Sequence, residues 1–281
     1  MASASRRRPP SRTVLLDRAI EALPLFRLSD SSEDAAVSFT ADNGGRWRVL
    51  PAPGERLPGT FDQDVYIELS RRFHEADQPA DGVLTFTLHA FLRSMGRRVD
   101  GRTYEQLRGA LARLERTVLE SDGAWFDAAK GSYGHSRFTL LSAVAIDRRR
   151  LTDRDQLALF PALASNEPGD AHVTLAAPLR ANIAAGHSIS LVAPRYVALS
   201  SPVARRLYRL LEAERGASTA GREPWALPLE RLAELLPLAQ RYPSHLQRVL
   251  QPAHEMLVAS GIVRKARFVQ DGRTWRVEYS R

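Results

Sequence analysis

Residues 88–118 read LHAFLRSMGRRVDGRTYEQLRGALARLERTV, and residues 229–257 read LERLAELLPLAQRYPSHLQRVLQPAHEML. The two stretches carry the same apolar pattern. In the first, Leu88, Phe91, Leu92 and Met95 precede a Gly-containing polar break, and Leu107, Leu111, Leu114 and Val118 follow it. In the second, Leu229, Leu232, Ala233 and Leu236 precede the break, and Leu246, Leu250, Ala253 and Leu257 follow it. Apolar residues at these offsets share one face of a helix, so each stretch is a pair of amphipathic helices joined by a turn.

A further apolar helix face precedes each pair: Val65, Leu69 and Phe73 in the first half, Val203, Leu207 and Leu211 in the second. An alternating, hairpin-like stretch follows each pair. Helix, helix, turn, helix and hairpin outline a winged helix-turn-helix. The expected architecture is α+β, mainly helical, with two tandem winged helix-turn-helix domains over residues 46–147 and 172–281. Residues 148–171 are expected to connect them, and residues 1–45 to form a basic arm and a segment that matches no pattern.

Local signals set finer expectations. Leu15, Leu16, Ile20 and Leu23 give residues 14–28 a short helical look. Segments 37–39 and 47–50, around Asp42-Asn43-Gly44-Gly45, predict a β-hairpin. Thr60 or Asp62 caps a helix running to about His74, Thr87 caps the next, and Thr103 caps one from Tyr104 to about Ser121. Segments 124–127 and 138–146 are expected to form the first wing. Segments 264–269 and 274–279, joined at Asp271-Gly272, are expected to form the second. Pro252 falls inside the last long helix, where it removes a hydrogen bond, and predicts a kink.

The 281 residues suffice for two domains with their own cores. No apolar run approaches the length of a bilayer span, and the N-terminal MASASRRRPPSRT lacks the apolar core of a secretory signal. Cysteine is absent, which excludes disulfides, thiolate chemistry and cysteine-bound zinc. The expectation is a cytoplasmic protein without metal or cofactor.

The net charge of +8 is uneven. Residues 1–56 hold 9 basic and 7 acidic groups, residues 57–171 hold 15 and 17, and residues 172–281 hold 16 and 8. The whole excess therefore lies in the second half, as a polyanion-binding unit requires. Apart from Lys130 and Lys265 the cations are arginines, a bias that a GC-rich genome also produces.

Enzymatic equipment is missing. The chain has no phosphate-binding G-x-x-x-x-G-K-[ST] loop, no H-x-H pair among its 7 histidines and no G-x-S-x-G elbow. Asp147, Asp153 and Asp155 sit among Arg148, Arg149, Arg150 and Arg154, and read as a neutralised surface rather than a magnesium site. The expectation is a protein that is not an enzyme.

The third helix of a helix-turn-helix enters the major groove. In the first unit it offers Arg102, Thr103, Gln106 and Arg108, with Arg113 and Arg116 further along. In the second it offers Arg241, Ser244, His245, Gln247, Arg248 and Gln251, with Arg264, Arg267 and Arg273 on the wing. Arginine pairs with guanine and glutamine with adenine through two hydrogen bonds each. Any surface helix shows such residues, so the argument rests on the set, not on one member. Tyr208, Trp225 and Trp275 are expected to be core.

Several stretches also resemble the plasmid replication initiator protein A family. They are Leu57-Pro58-Gly59-Thr60-Phe61-Asp62-Gln63-Asp64-Val65, Gly101-Arg102-Thr103-Tyr104 with Ala110-Leu111-Ala112-Arg113-Leu114, Ala204-Arg205-Arg206-Leu207-Tyr208-Arg209-Leu210-Leu211-Glu212, and Tyr242-Pro243-Ser244 with Leu250-Gln251-Pro252-Ala253-His254-Glu255. The resemblance implies binding to repeated sites at a replication origin, origin opening, and recruitment of the host initiator and the replicative helicase. It further implies a homodimer formed through the first unit, for which Trp125 and Phe126 are one expected contact; packing beneath their own wing is the other. A winged-helix transcription repressor and a protein-docking module are the competing readings, and the concentration of charge disfavours the latter.

Overall fold

The computed structural model describes residues 13–28, 35–146, 171–217, 224–240 and 242–280. The basic arm and the connector expected at 148–171, except for Ala171, lie outside the described residues. The acidic cluster also lies outside them.

Two runs of elements repeat one order. The first is α2 (Thr60–Glu75), β4 (Val83–Phe86), α3 (Leu88–Ser94) and α4 (Gly101–Arg116), closed by strands β7 (Leu141–Ile146) and β8 (Ala171–Leu175). The second is α7 (Pro202–Ala217), β10 (Trp225–Pro228), α8 (Leu229–Leu235), α9 (Pro243–Ala259), β11 (Lys265–Asp271) and β12 (Thr274–Ser280). The sheets match as well, with strand orders β4-β8-β7 and β10-β12-β11. Each apolar stripe predicted from spacing is inward: Leu107, Leu111, Leu114, Leu246, Leu250, Ala253 and Leu257 are all fully buried.

Differences from expectation have physical causes. The fold is not mainly helical: among the described residues helix makes up 41% and strand 30%. Helix α4 begins at Gly101, because the Asp100 carboxylate caps it by accepting from Thr103 N at 2.9 Å. It ends at Arg116. The β-branched pair Thr117-Val118 turns the chain extended, and Val118, expected on the helix face, opens strand β5 (Val118–Asp127). Gly59, not Thr60 or Asp62, is the N-cap of α2, and Asp62 accepts from Gly59 N at 2.7 Å. In agreement with its expected place inside the last long helix, Pro252 lies exposed within α9.

Strand pairing also redraws the wings. The hairpin of β5 and β6 (Ser132–Phe138) belongs to a four-stranded sheet of order β2-β3-β5-β6, with the predicted hairpin β2 (Val37–Thr40) and β3 (Arg46–Leu50). The strand matching β12 in the first half is β8, which pairs antiparallel with both β4 and β7, Ile146 lying opposite Ala171. Segment 148–171, read as a link between units, thus joins neighbouring strands of one sheet. β8, assigned from sequence to the second unit, completes the first.

The N-terminal segment, which no pattern placed, holds the halves together. It is not simply helical: β1 (Thr13–Asp17) precedes the short α1 (Arg18–Glu21). β1 pairs antiparallel with β9 (Ser188–Val192) of the second half, and α1 packs on α7. Two short helices, α5 (Ala177–Ala184) and α6 (Ala193–Ala198), flank β9. Glu21 is 2% exposed and meets two guanidinium groups that are each 1% exposed: Arg206 Nη1 at 3.6 Å and Arg209 Nη1 at 3.4 Å. Arg206 also donates to the carbonyls of Glu21 and Leu23, and Arg209 to Gln63 Oε1 of α2 at 2.8 Å. Burial lowers the Arg206 pKa to about 10, which leaves it charged at neutral pH. Nearby, Asp64 of α2 accepts from Tyr196 of α6, Arg205 of α7 and Arg97.

A second buried centre is Asp17. It accepts from Ala19 N, Asn182 Nδ2 and Trp125 Nε1 at 2.9, 3.1 and 3.0 Å, which joins β1, α5 and β5. Burial raises its pKa to about 7 against these donors. Trp125 is 2% exposed and so unavailable to a dimer partner; Phe126 is half-buried against Tyr133 and His187.

Removing one charge from a buried cluster leaves the others uncompensated. Glu21→Gln should therefore lower unfolding free energy by about 3 kcal/mol in urea titration. A loss below about 1 kcal/mol would show that the two arginines do not depend on this carboxylate.

Candidate nucleic-acid interface

The cap of α9 is built by its sequence. Pro243 supplies a fixed φ at the first turn and confines Tyr242 to extended backbone (φ −80, ψ 135). The Tyr242 carbonyl then accepts from His245 N and Leu246 N, both at 3.0 Å. With Leu246, Leu250, Ala253, His254 and Leu257 inward, Arg248 falls at the middle of the outward face, flanked by Ser244 and His245, and all three are exposed.

Beneath α9 the wing is held by aromatic packing. His254 Nε2 lies 2.8 Å from the Tyr279 hydroxyl, and its ring packs on Phe268 (5.0 Å) and edge-on to Tyr279 (5.2 Å). Trp225 stacks on Tyr279 at 5.6 Å. Tyr208 is buried, with its hydroxyl accepting from Val192 N, and Trp275 packs against the core, as expected. Strands β11 and β12 run in register from Lys265↔Ser280 to Asp271↔Thr274, and Gly272 turns the hairpin at φ 60.

The expected site residues separate into two groups. On the second half, Ser244, His245, Arg248, Arg264 and Arg273 are exposed, and Arg248, Arg264 and Arg273 form no ion pair with a described residue. Lys265 and Arg276, which spacing did not single out, share that property on the same wing. Gln251 is exposed but donates to Glu255 at 2.8 Å, and Arg267 is held by Glu278 at 2.6 Å. Gln247 is only half-exposed; its Nε2 is enclosed and finds no hydrogen-bond partner among the described residues. Arg241 lies outside the described residues.

The first half offers less. Arg102 and Gln106 are exposed. Thr103 is a capping residue, its hydroxyl donating to Arg98 O at 2.8 Å and accepting from Asp100 N at 3.1 Å. Arg108 pairs with Glu105 at 2.6 Å. Arg113 and Arg116, expected near solvent, are tied to Asp62 and Glu55 at 2.7 and 2.6 Å. No group of three or more metal-ligating side chains occurs among the described residues, and no described helix is long and apolar enough to cross a membrane.

This arrangement, a helix-turn-helix pair with a basic helix face beside a basic hairpin, is that of a nucleic-acid-binding protein. Among solved structures, the fold is similar to domains 2 and 3 of RctB, at 12% identity and TM-score 0.52, covering 91% of this chain and 94% of that one. A weaker match is the Pi initiator protein, solved in complex with iteron DNA, at 13% identity and TM-score 0.46, covering 78% of this chain and 93% of that one. No curated protein sequence matches the chain. The model of the replication initiator protein A family matches residues 16–236, so the chain belongs to that family and is a replication initiator.

Burial lowers the His254 pKa from 6.5 to about 4, so the folded state holds it neutral. Its contribution to stability is complete above 6.5 and is lost as pH falls toward 4, because the unfolded chain takes up the proton first. Asp17, with its raised pKa, acts in the opposite sense over pH 7 to 3.8. The contrast with His254→Gln therefore isolates the histidine. The wild type should lose about 2–3 kcal/mol more than the variant between pH 7 and 4 in thermal unfolding. Parallel pH profiles would contradict this.

Proposed function

We propose that the chain forms two tandem winged-helix units and initiates replication by binding repeated double-stranded sites at an origin, with the second unit as the main reading head. One observation carries this reading: the outward face of α9, centred on Arg248, lies beside a wing whose Arg264, Lys265, Arg273 and Arg276 form no ion pair with a described residue. On α4, by contrast, Arg108, Arg113 and Arg116 are matched with carboxylates. A helix lying in the major groove presents its N-terminal residues to base edges, which gives Ser244, His245 and Arg248 that role. Arginine is suited to guanine, and the wing cations to phosphate. Arg102 and Gln106 supply a lesser contact from the first unit.

The role is that of a non-catalytic DNA-binding protein of the cytoplasm. Origin opening, recruitment of the host initiator and helicase, and a homodimer through the first unit complete the proposal; they rest on family membership alone. Trp125 is buried, so such a dimer would not use it; β6 is an exposed edge strand open to pairing.

Binding measured by fluorescence anisotropy tests the reading. Arg248→Ala should lose about 1–3 kcal/mol on the selected site and little on random duplex. Arg273→Ala should weaken both alike and reduce the salt slope by about one. Equal losses on both DNAs for Arg248→Ala would demote it to a phosphate contact. Intact binding in both variants would remove this face from the interface.

A further inference from the structure

Tyr242 is the most exposed large apolar side chain among the described residues, at 71%, and it stands at the entrance to α9. Its position is not that of a loosely held surface residue. Pro243 restricts its backbone, and its carbonyl is fixed by two helix-starting hydrogen bonds. Its ring lies 5.8 Å from that of His245 at 79°, so an exposed aromatic edge pair is displayed beside Ser244 and Arg248. The aromatics of the adjoining wing, Trp225, Phe268, Trp275 and Tyr279, are turned onto the core.

Polar groups read base edges by hydrogen bonds, but the thymine methyl group can be recognised only by apolar contact. Ser244, His245 and Arg248 supply hydrogen bonds; the exposed apolar surface beside them is the Tyr242 ring. We infer that Tyr242, braced by His245, is a specificity-determining residue that packs against a thymine methyl group next to the base read by Arg248. This rests on the proposed reading head and adds to it a chemical identity for one neighbouring base pair.

The test uses the full-length chain and a duplex recovered by selecting random duplexes on that chain. Each thymine in the recovered site is replaced in turn by deoxyuridine, which removes only the methyl group. For the wild type, one replacement should weaken binding about fourfold, the factor that corresponds to one buried methyl group. Tyr242→Ala should bind the thymine duplex correspondingly more weakly and be indifferent to that replacement, while Tyr242→Phe should behave as wild type. The inference is overturned if Tyr242→Ala keeps wild-type affinity, or if it stays as sensitive to every deoxyuridine replacement as the wild type. If Arg248→Ala still loses site-specific binding in that case, only the tyrosine assignment falls. If selection recovers no preferred duplex, the reading head falls and the inference with it.

Discussion

A single buried carboxylate, Glu21, faces two buried guanidinium groups, and the relation between the halves of this protein depends on that arrangement. Two like charges on adjacent turns of α7 cannot be enclosed without compensation. Glu21 supplies one charge, and the backbone carbonyls of Glu21, Leu23 and Leu235 and the side chain of Gln63 supply further acceptors. The carboxylate reaches this position because β1 pairs with β9 and α1 packs on α7. The N-terminal segment is thus a strap across both repeats. Trp47, whose Nε1 donates to Pro24 O at 2.7 Å, ties the four-stranded sheet to the same strap.

This constraint also changes the meaning of the charge distribution. The second half carries the whole positive excess, but Arg205, Arg206 and Arg209 face carboxylates of the strap and of α2. They belong to the joint between repeats and are not part of a DNA-binding surface. Arg248 of α9 and Arg264, Lys265, Arg273 and Arg276 of its wing are, by contrast, exposed. What distinguishes the proposed reading face is that these cations form no ion pair with a described residue, a property of the folded chain that a residue count does not reveal.

How much could be read from the chain follows from the range of each interaction. The α9 stripe, the β11–β12 hairpin at Gly272 and the Thr87 cap are local patterns, and all were legible. The end of α4 was misplaced because Val118 continues the apolar spacing, while Thr117 and the strand pairing of β5 prevail. The partners of β8, the strap and the Asp62–Arg113 pair were invisible because each links residues far apart in the chain, with no local signature. Pro243, opening α9, is the local signal that fixes the backbone of Tyr242 beside it.

If the strap fixes the two repeats as one body, the second reads DNA and the first adds a contact in register. Affinity for the selected duplex, measured after inserting base pairs between the two protected grooves, tests this most directly. Insertion of about half a helical turn, roughly five base pairs, moves one contact to the opposite side of the duplex. A rigid body should then bind no better than through its second repeat alone. Undiminished affinity after that insertion would mean that the two repeats do not engage DNA as one body.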